Sequence, residues 1–267
     1  MNATLTPTRE VVPVLAVAET RRLLTHPVML TGFLLWGLVS AQTVFGDPRP
    51  LDVFEAVGSA LSWTPGVLAI LAAYLVATRE QRAGTLDVLG SLPAREPERV
   101  RALCLAALAA GLVGLVLNLV LTSVLLAQDA FSVTPSVAHL LLPPLTLVGA
   151  VLLGVLIAVW TPVPLAPALG VVGMIAFHVA ISDHDRVVLF GPAMFWAAWG
   201  DGGGEIWVGF VTGSPAWHLV YVAGLCGLAA TGALLRVAPR PHGVRPVALA
   251  GLGALALAVV GGVLQLP

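Results

Sequence analysis

The sequence predicts an all-α, polytopic integral membrane protein of six to seven transmembrane helices with its N-terminus in the cytoplasm. Three observations lead there: a scarcity of charge, a series of apolar runs of spanning length, and arginines gathered on alternate loops. Of 267 residues 58% are hydrophobic and only 10% charged, with a mean hydropathy of +0.96. A soluble domain carries about a quarter charged residues, because its whole exterior must be hydrated. This chain lacks the charge to coat a water-facing surface. The net charge is −1 and no basic stretch is interleaved with aromatics, so nucleic-acid binding is set aside.

A helix needs about 20 apolar residues to cross the hydrocarbon. Seven runs approach that length, at roughly 27–45, 57–77, 101–127, 138–160, 166–182, 216–236 and 247–265. The segment 1–26 precedes them as a cytoplasmic N-terminal stretch. No cleavable leader is expected in it, since Glu10, Pro13 and Glu19 interrupt the apolar core that a leader needs. The third to fifth runs are separated by Asp129 to Pro135 and by Thr161-Pro162-Val163-Pro164. Within the fourth, Pro143-Pro144 predicts a kink near its outer end. The fifth run is short and the last is rich in glycine. Residues 237–267 form a basic loop followed by that additional run, which either crosses, giving seven spans, or does not, giving six.

Orientation follows from the arginines. With the N-terminus inside, cytoplasmic segments hold Arg9, Arg21, Arg22, Arg79, Arg82, Arg95, Arg99, Arg101, Arg236, Arg240 and Arg245, against Arg49 and Arg186 outside. Tryptophans favour the interface, and Trp63, Trp160 and Trp217 fall at predicted span ends. The outer segment 183–216, with Phe190, Trp196, Trp199 and Trp207 among glycines, is too apolar for a hydrated loop and reads as short re-entrant interfacial helices. Small residues at helical spacing, Ala223/Gly227 and Ala254/Ala258/Gly262, predict close helix packing, within the chain or between copies.

Every basic residue is arginine, and there is no lysine. A phosphate-binding loop needs its lysine on the β- and γ-phosphates, so no nucleotide or other cofactor is expected in this chain. A lysine nucleophile is excluded with it. Cys104 and Cys226 sit in apolar runs without metal-ligand spacing and read as small hydrophobes. The spans hold little that could ionise: His178, with His139 and His218 near span ends and Asn118 mid-span. A carrier driven by protons or sodium needs buried carboxylates or broken helices, so energy is expected from outside the chain. His178, Asp183, His184 and Asp185 lie within eight residues and are weak metal candidates, read more simply as the polar end of a helix. Ser182 with His178, and Ser214 with His218, are neighbours on one helix turn and lack a nucleophile elbow. No catalytic role is expected.

The most informative stretch is the predicted cytoplasmic segment 78–95. Gly84 can interrupt the helix leaving the second span. Thr85, Val88, Leu89 and Leu92 then fall at i, i+3, i+4 and i+7 on one face, and Pro93 stops the helix. Pro97 suits the first turn of the next helix, with Glu96 and Glu98 at its positive end. A short amphipathic helix at the inner membrane face results, either with or without a protein partner. The run Glu80-Gln-Arg82-Ala-Gly84-Thr85-Leu86-Asp-Val88-Leu89-Gly-Ser-Leu92-Pro93-Ala-Arg95 resembles the coupling-helix motif of ABC-2-type permeases. Glu19-Thr-Arg-Arg22 onward resembles that family's N-terminal elbow, and 183–216 its outer re-entrant helices. The resemblance covers about 10–236 and is strongest at 78–95. It implies the membrane subunit of an ATP-driven exporter in a bacterial inner membrane, embedded in lipid, paired with itself or a second permease. ATP and Mg would be bound by a separate ATPase subunit that touches Glu80, Arg82, Gly84, Thr85, Leu86, Val88, Leu89 and Leu92. The substrate would be hydrophobic or amphipathic. A six-span family core leaves 247–265 as an extra element, and Arg22 beside Leu15 and Ala18 departs from a clean amphipathic elbow. The alternative is a polytopic scaffold or sensor subunit without a transport path.

Overall fold

The computed structural model describes residues 11–48, 50–84, 95–131, 134–182, 187–192, 213–239 and 243–266. Among them all regular structure is helical. The helices are α1 (Val11–Leu24), α2 (Pro27–Phe45), α3 (Pro50–Gly58), α4 (Val67–Ala77), α5 (Arg79–Arg82), α6 (Glu96–Ala127), α7 (Val137–Trp160), α8 (Ala166–Ser182), α9 (Pro215–Val237) and α10 (Val244–Leu264). A π-helical turn, Ser62–Gly66, leads into α4, and a 3-10 turn, Val187–Phe190, follows α8. Five of these, α2, α6, α7, α9 and α10, are long and apolar enough to cross a membrane. The count becomes six if α3 and the π-turn with α4, which meet at 43°, form one bent span. At 17 residues α8 reaches about 25 Å, short of a hydrocarbon core of roughly 30 Å.

The bundle is organised around α7, which packs against α4, α6 and α9. Leu147, Val151 and Val155 on α7 are buried at the centre of the main core. A second core joins Trp36 of α2, Val53 and Val57 of α3, Leu61, and Leu121 and Leu125 of α6. Leu105, Leu108, Leu112 and Val116 on the far face of α6 are exposed, as expected of a face solvated by lipid.

The prolines inside the spans are accommodated in two ways. No break occurs at Pro143-Pro144, and α7 runs unbroken through both. Pro144 has no N–H for the Leu140 carbonyl four residues earlier, and the Asn118 amide of α6 donates to that carbonyl at 3.2 Å. A 43° bend lies in the second span between Gly58 and Ser62, and Pro65 falls in the π-turn that follows it. The wider hydrogen-bond ladder of a π-turn skips the missing N–H, and the Thr64 hydroxyl donates to Ala60 O at 2.6 Å.

The run 247–265 becomes α10, which lies antiparallel along the length of α9. Ser214 N donates to Gln265 O at 3.0 Å at one end of the pair, and Gly251 meets Thr231 towards the other. The contact uses small residues, as expected, but its register differs from Ala223/Gly227. Ala223 is exposed, and Gly224 and Gly227 face Ala258 and Ala254. A Cβ on Gly224 would collide with the Ala258 backbone. Most of the predicted re-entrant segment 183–216 lies outside the described residues.

Candidate functional site

A cluster of charged side chains lies at one end of the bundle, where α1, α5 and α6 meet. Glu19 lies on α1 with its side chain only 6% exposed, although Val14 and Val17 of the same helix face outward. An isolated buried carboxylate is costly, and this one is enclosed by two guanidinium groups. Arg79 Nη1 and Nη2 donate to its two oxygens at 2.6 and 2.8 Å, a forked geometry that suits arginine. Arg22, one turn along α1, donates to Oε1 at 2.7 Å. The hydrogen bonds that Arg79 donates to Glu19 raise its pKa above the ordinary arginine value, outweighing burial. Its guanidinium therefore stays charged at any working pH.

The network continues to Glu80, which accepts from Arg79 at 3.3 Å and pairs with Arg99 of α6. Glu80 precedes the 85–94 stretch and Arg99 follows it, so this ion pair closes the base of the predicted coupling segment. Both shoulders of the segment are shaped too. Gly84 has a φ of +66°, the left-handed region glycine occupies without strain, and ends the helical turn after Arg82. At the other shoulder, Glu98 Oε2 accepts from Arg95 N at 2.8 Å and Pro97 sits in the first turn, a capping box that starts α6.

Of the expected ATPase-contact residues, Glu80, Arg82 and Gly84 are therefore placed. Thr85, Leu86, Val88, Leu89 and Leu92 lie outside the described residues. Arg82 folds back on the second span: its Nη2 donates to Leu75 O at 2.5 Å and its Nε to Thr78 Oγ1 at 3.4 Å, holding the carbonyl end of α4. Sequence reasoning missed Glu19 and Arg99 as partners. The available signals were a carboxylate on an otherwise apolar helix and its i, i+3 spacing from Arg22.

The remaining polar candidates have structural partners. Trp63 and Phe177 ring His178 edge-on, and its Nδ1 bonds Met174 O at 2.8 Å. Asp183, His184 and Asp185 lie outside the described residues, among which no group of three His, Cys, Asp or Glu is poised around a common point. Ser214 caps α9 by accepting from Trp217 N, while His218 Nδ1 lies 2.7 Å from Gln265 Oε1 of α10. Trp160 donates to Gly232 O, with Arg236 stacked 5.9 Å over its ring.

The π-turn separates two spaces. Trp63 and Thr64 border a cleft of about 490 Å³ that also contains Asp47, Asp52 and Gln42. Ser62 and Gly66 border an apolar cavity of about 350 Å³ between α7, α8 and α9. No family model, curated protein or solved structure matches the chain. The described residues form an all-helical bundle with five helices long and apolar enough to cross a membrane, and ion pairs link the residues that flank the 85–94 stretch.

Proposed function

We propose that this chain is the membrane-spanning permease subunit of an ATP-driven exporter in a bacterial inner membrane, with its N-terminus and arginine-rich end in the cytoplasm. It works with a second permease copy, identical or related, and with separate ATPase subunits that bind ATP and Mg. The observation that supports this most directly is the closed base of the segment resembling a coupling helix. Glu80 and Arg99 join its two ends, and Glu19 and Arg79 anchor that base to α1. A loop free at its base absorbs a push by bending. A clamped one passes displacement to α4 and α6 together. ATPase closure can shift the spans in this way, provided the segment binds the two ATPase states with different affinity. The missing lysine assigns ATP hydrolysis to the partner, and the chain carries out no covalent chemistry itself.

The test starts from the ATPase that copurifies with the tagged chain from its own membranes. Leu89→Asp places a charge in the apolar stripe that would fill the ATPase groove. Anchors of this kind cost about 2 kcal/mol or more on truncation, so capture of the ATPase is expected to fall at least about 30-fold. Insertion into the membrane is expected to be unchanged. Glu80→Ala opens the clamp while leaving the stripe intact, so it is expected to retain most ATPase binding and lose export per ATP hydrolysed. Full-strength capture and normal export with Leu89→Asp would remove the coupling assignment.

A further inference from the structure

The cavity behind the π-turn has no part in the charge network, and its chemistry is specific. Its walls come from the π-turn, α7, α8 and α9. Room is made by Gly66, Gly149, Ala150 and Ala229, while Met174 and Leu225 add flexible apolar surface. Gly149, Met174 and Leu225 each lie near the middle of their helices, which places the cavity at mid-bundle depth. The bordering hydroxyls are already engaged. Thr146 donates to Pro143 O at 2.8 Å, and Ser62 and Thr146 are 2.6 Å apart, so Ser62 spends its proton on Thr146. Water entering would find only the acceptor lone pairs of Ser62 and Thr146 on an otherwise apolar wall, too few partners for the two to four hydrogen bonds that hold a buried water.

We infer that this cavity binds one hydrocarbon chain of a membrane amphiphile. The volume of about 350 Å³ lies at the small end of the roughly 300–1,000 Å³ range of ligand pockets, and the hydroxyls on its wall, Ser62 and Thr146, have both protons engaged within the protein. Alkyl chains are also the apolar species present at overwhelming concentration around such a bundle, so mass action favours them over a scarce solute. The short helix α8 contributes Met174 to the wall and exposes Leu169 and Val172 on its outer face, so it is the side from which a chain would approach. This names the apolar portion of the cargo in the exporter reading. It rests on that reading only for the claim that the chain is moved on; binding rests on the cavity.

The test uses the full-length protein in phosphatidylcholine nanodiscs containing a small fraction of phosphatidylcholine with a mid-chain diazirine. After irradiation, adducts are mapped by mass spectrometry. The expected result is enrichment on peptides carrying Met174 and Leu225 over the lipid-facing Leu249 and Val259 of α10. Ala150→Leu with Ala229→Leu fills the space and is expected to lower cavity adducts about tenfold, as overpacking a filled site should. Adducts on α10 and capture of the ATPase are expected to stay at wild-type level. Each substitution is also made singly, so that one folded variant suffices. The inference is overturned if the cavity peptides label no more than α10, or if filling the cavity in a folded variant leaves their labelling unchanged. Loss of cavity label with ATPase capture intact separates this site from the coupling segment.

Discussion

Replacing Arg79 with alanine tests whether α1 is held by charge rather than by apolar packing alone. Glu19 is 6% exposed and Arg79 is 32% exposed, with two charge-assisted hydrogen bonds between them at 2.6 and 2.8 Å. Stranding one partner of a buried pair costs about 3–5 kcal/mol. Arg22 remains on Glu19, but its side chain is 52% exposed and its attraction is screened. Together with the partial exposure of Arg79, this sets the expected loss for Arg79→Ala near the bottom of that range, about 3 kcal/mol. Glu19→Gln removes the charge that would be stranded, so the double variant is expected to be less destabilised than the sum of the singles, by about 2 kcal/mol. Unfolding in mixed micelles, followed by tryptophan fluorescence, measures all four corners of the cycle. Additivity within about 0.5 kcal/mol would show that the fork contributes no coupling and refute the claim that it anchors α1. Because Arg79 is held charged by Glu19, the coupling is expected to persist into mild alkali.

Three further outcomes are expected. Asn118→Leu leaves the Leu140 carbonyl without its donor and should cost about 1–2 kcal/mol, the upper part of the range for interhelical hydrogen bonds in lipid, read from the same unfolding assay. His26 caps α2 by accepting from Val28 N, and burial, then the charge of Arg82, holds its pKa below the ordinary 6.5. The folded state thus binds fewer protons than the unfolded one; its stability should be intact above about pH 6.5 and decline as pH falls, a slope that His26→Asn removes. A lone cysteine at Ala94 should resist an impermeant maleimide in intact cells while one at Gly203 reacts, and a reporter fused after Pro267 should share the Gly203 side, because Gln265 sits beside Ser214.

The helices were legible because lipid demands long apolar runs and water at the ends demands breaks. Gly84 and Pro97 marked two such breaks, and the structure uses both. Features that depended on a distant partner were not legible. How the chain meets a proline's missing N–H depends on its neighbours: Asn118 donates to the Leu140 carbonyl, 22 residues away and one turn before Pro144, whereas Pro65 sits in a local π-turn. Glu19 reads in sequence as an interruption of an apolar helix, and its partner stands 60 positions away. The small-residue seam was recognisable in kind but shifted by one position, from Ala223 to Gly224. One position is about 100° around a helix, and several small residues fit either register equally well in one dimension.

The two ends of the bundle differ in a way that bears on how it could move. In lipid, apolar helices gain little from burying one another, so packing relies on close approach and a few polar contacts. The α9–α10 pair shows this, with backbones touching at Gly224 and the pair pinned by His218 and Gln265 without net charge. Such a contact is insensitive to what happens at the far end of the bundle. At the arginine-rich end, α1, α5 and α6 are joined by ion pairs among Glu19, Arg79, Glu80 and Arg99, and the 85–94 segment leaves from between them. A force applied to that segment therefore meets α4 and α6 first, and reaches α9 and α10 chiefly through α7, with a smaller direct contact between α6 and α9. Between these two regions lie the π-turn, just after the bend of the second span, and the apolar cavity beside it. A displacement of α4 would be taken up at Ser62–Gly66, where the regular helix ladder is already broken, and would change the wall that Ser62 and Gly66 give to the cavity. Coupling between segment and cavity can then be read directly: Glu80→Ala, which loosens the clamp without touching the cavity, should leave diazirine labelling of Met174 intact and abolish its change on adding ATP to the assembled complex. A change of unaltered size in that variant would show that the clamp is not the route.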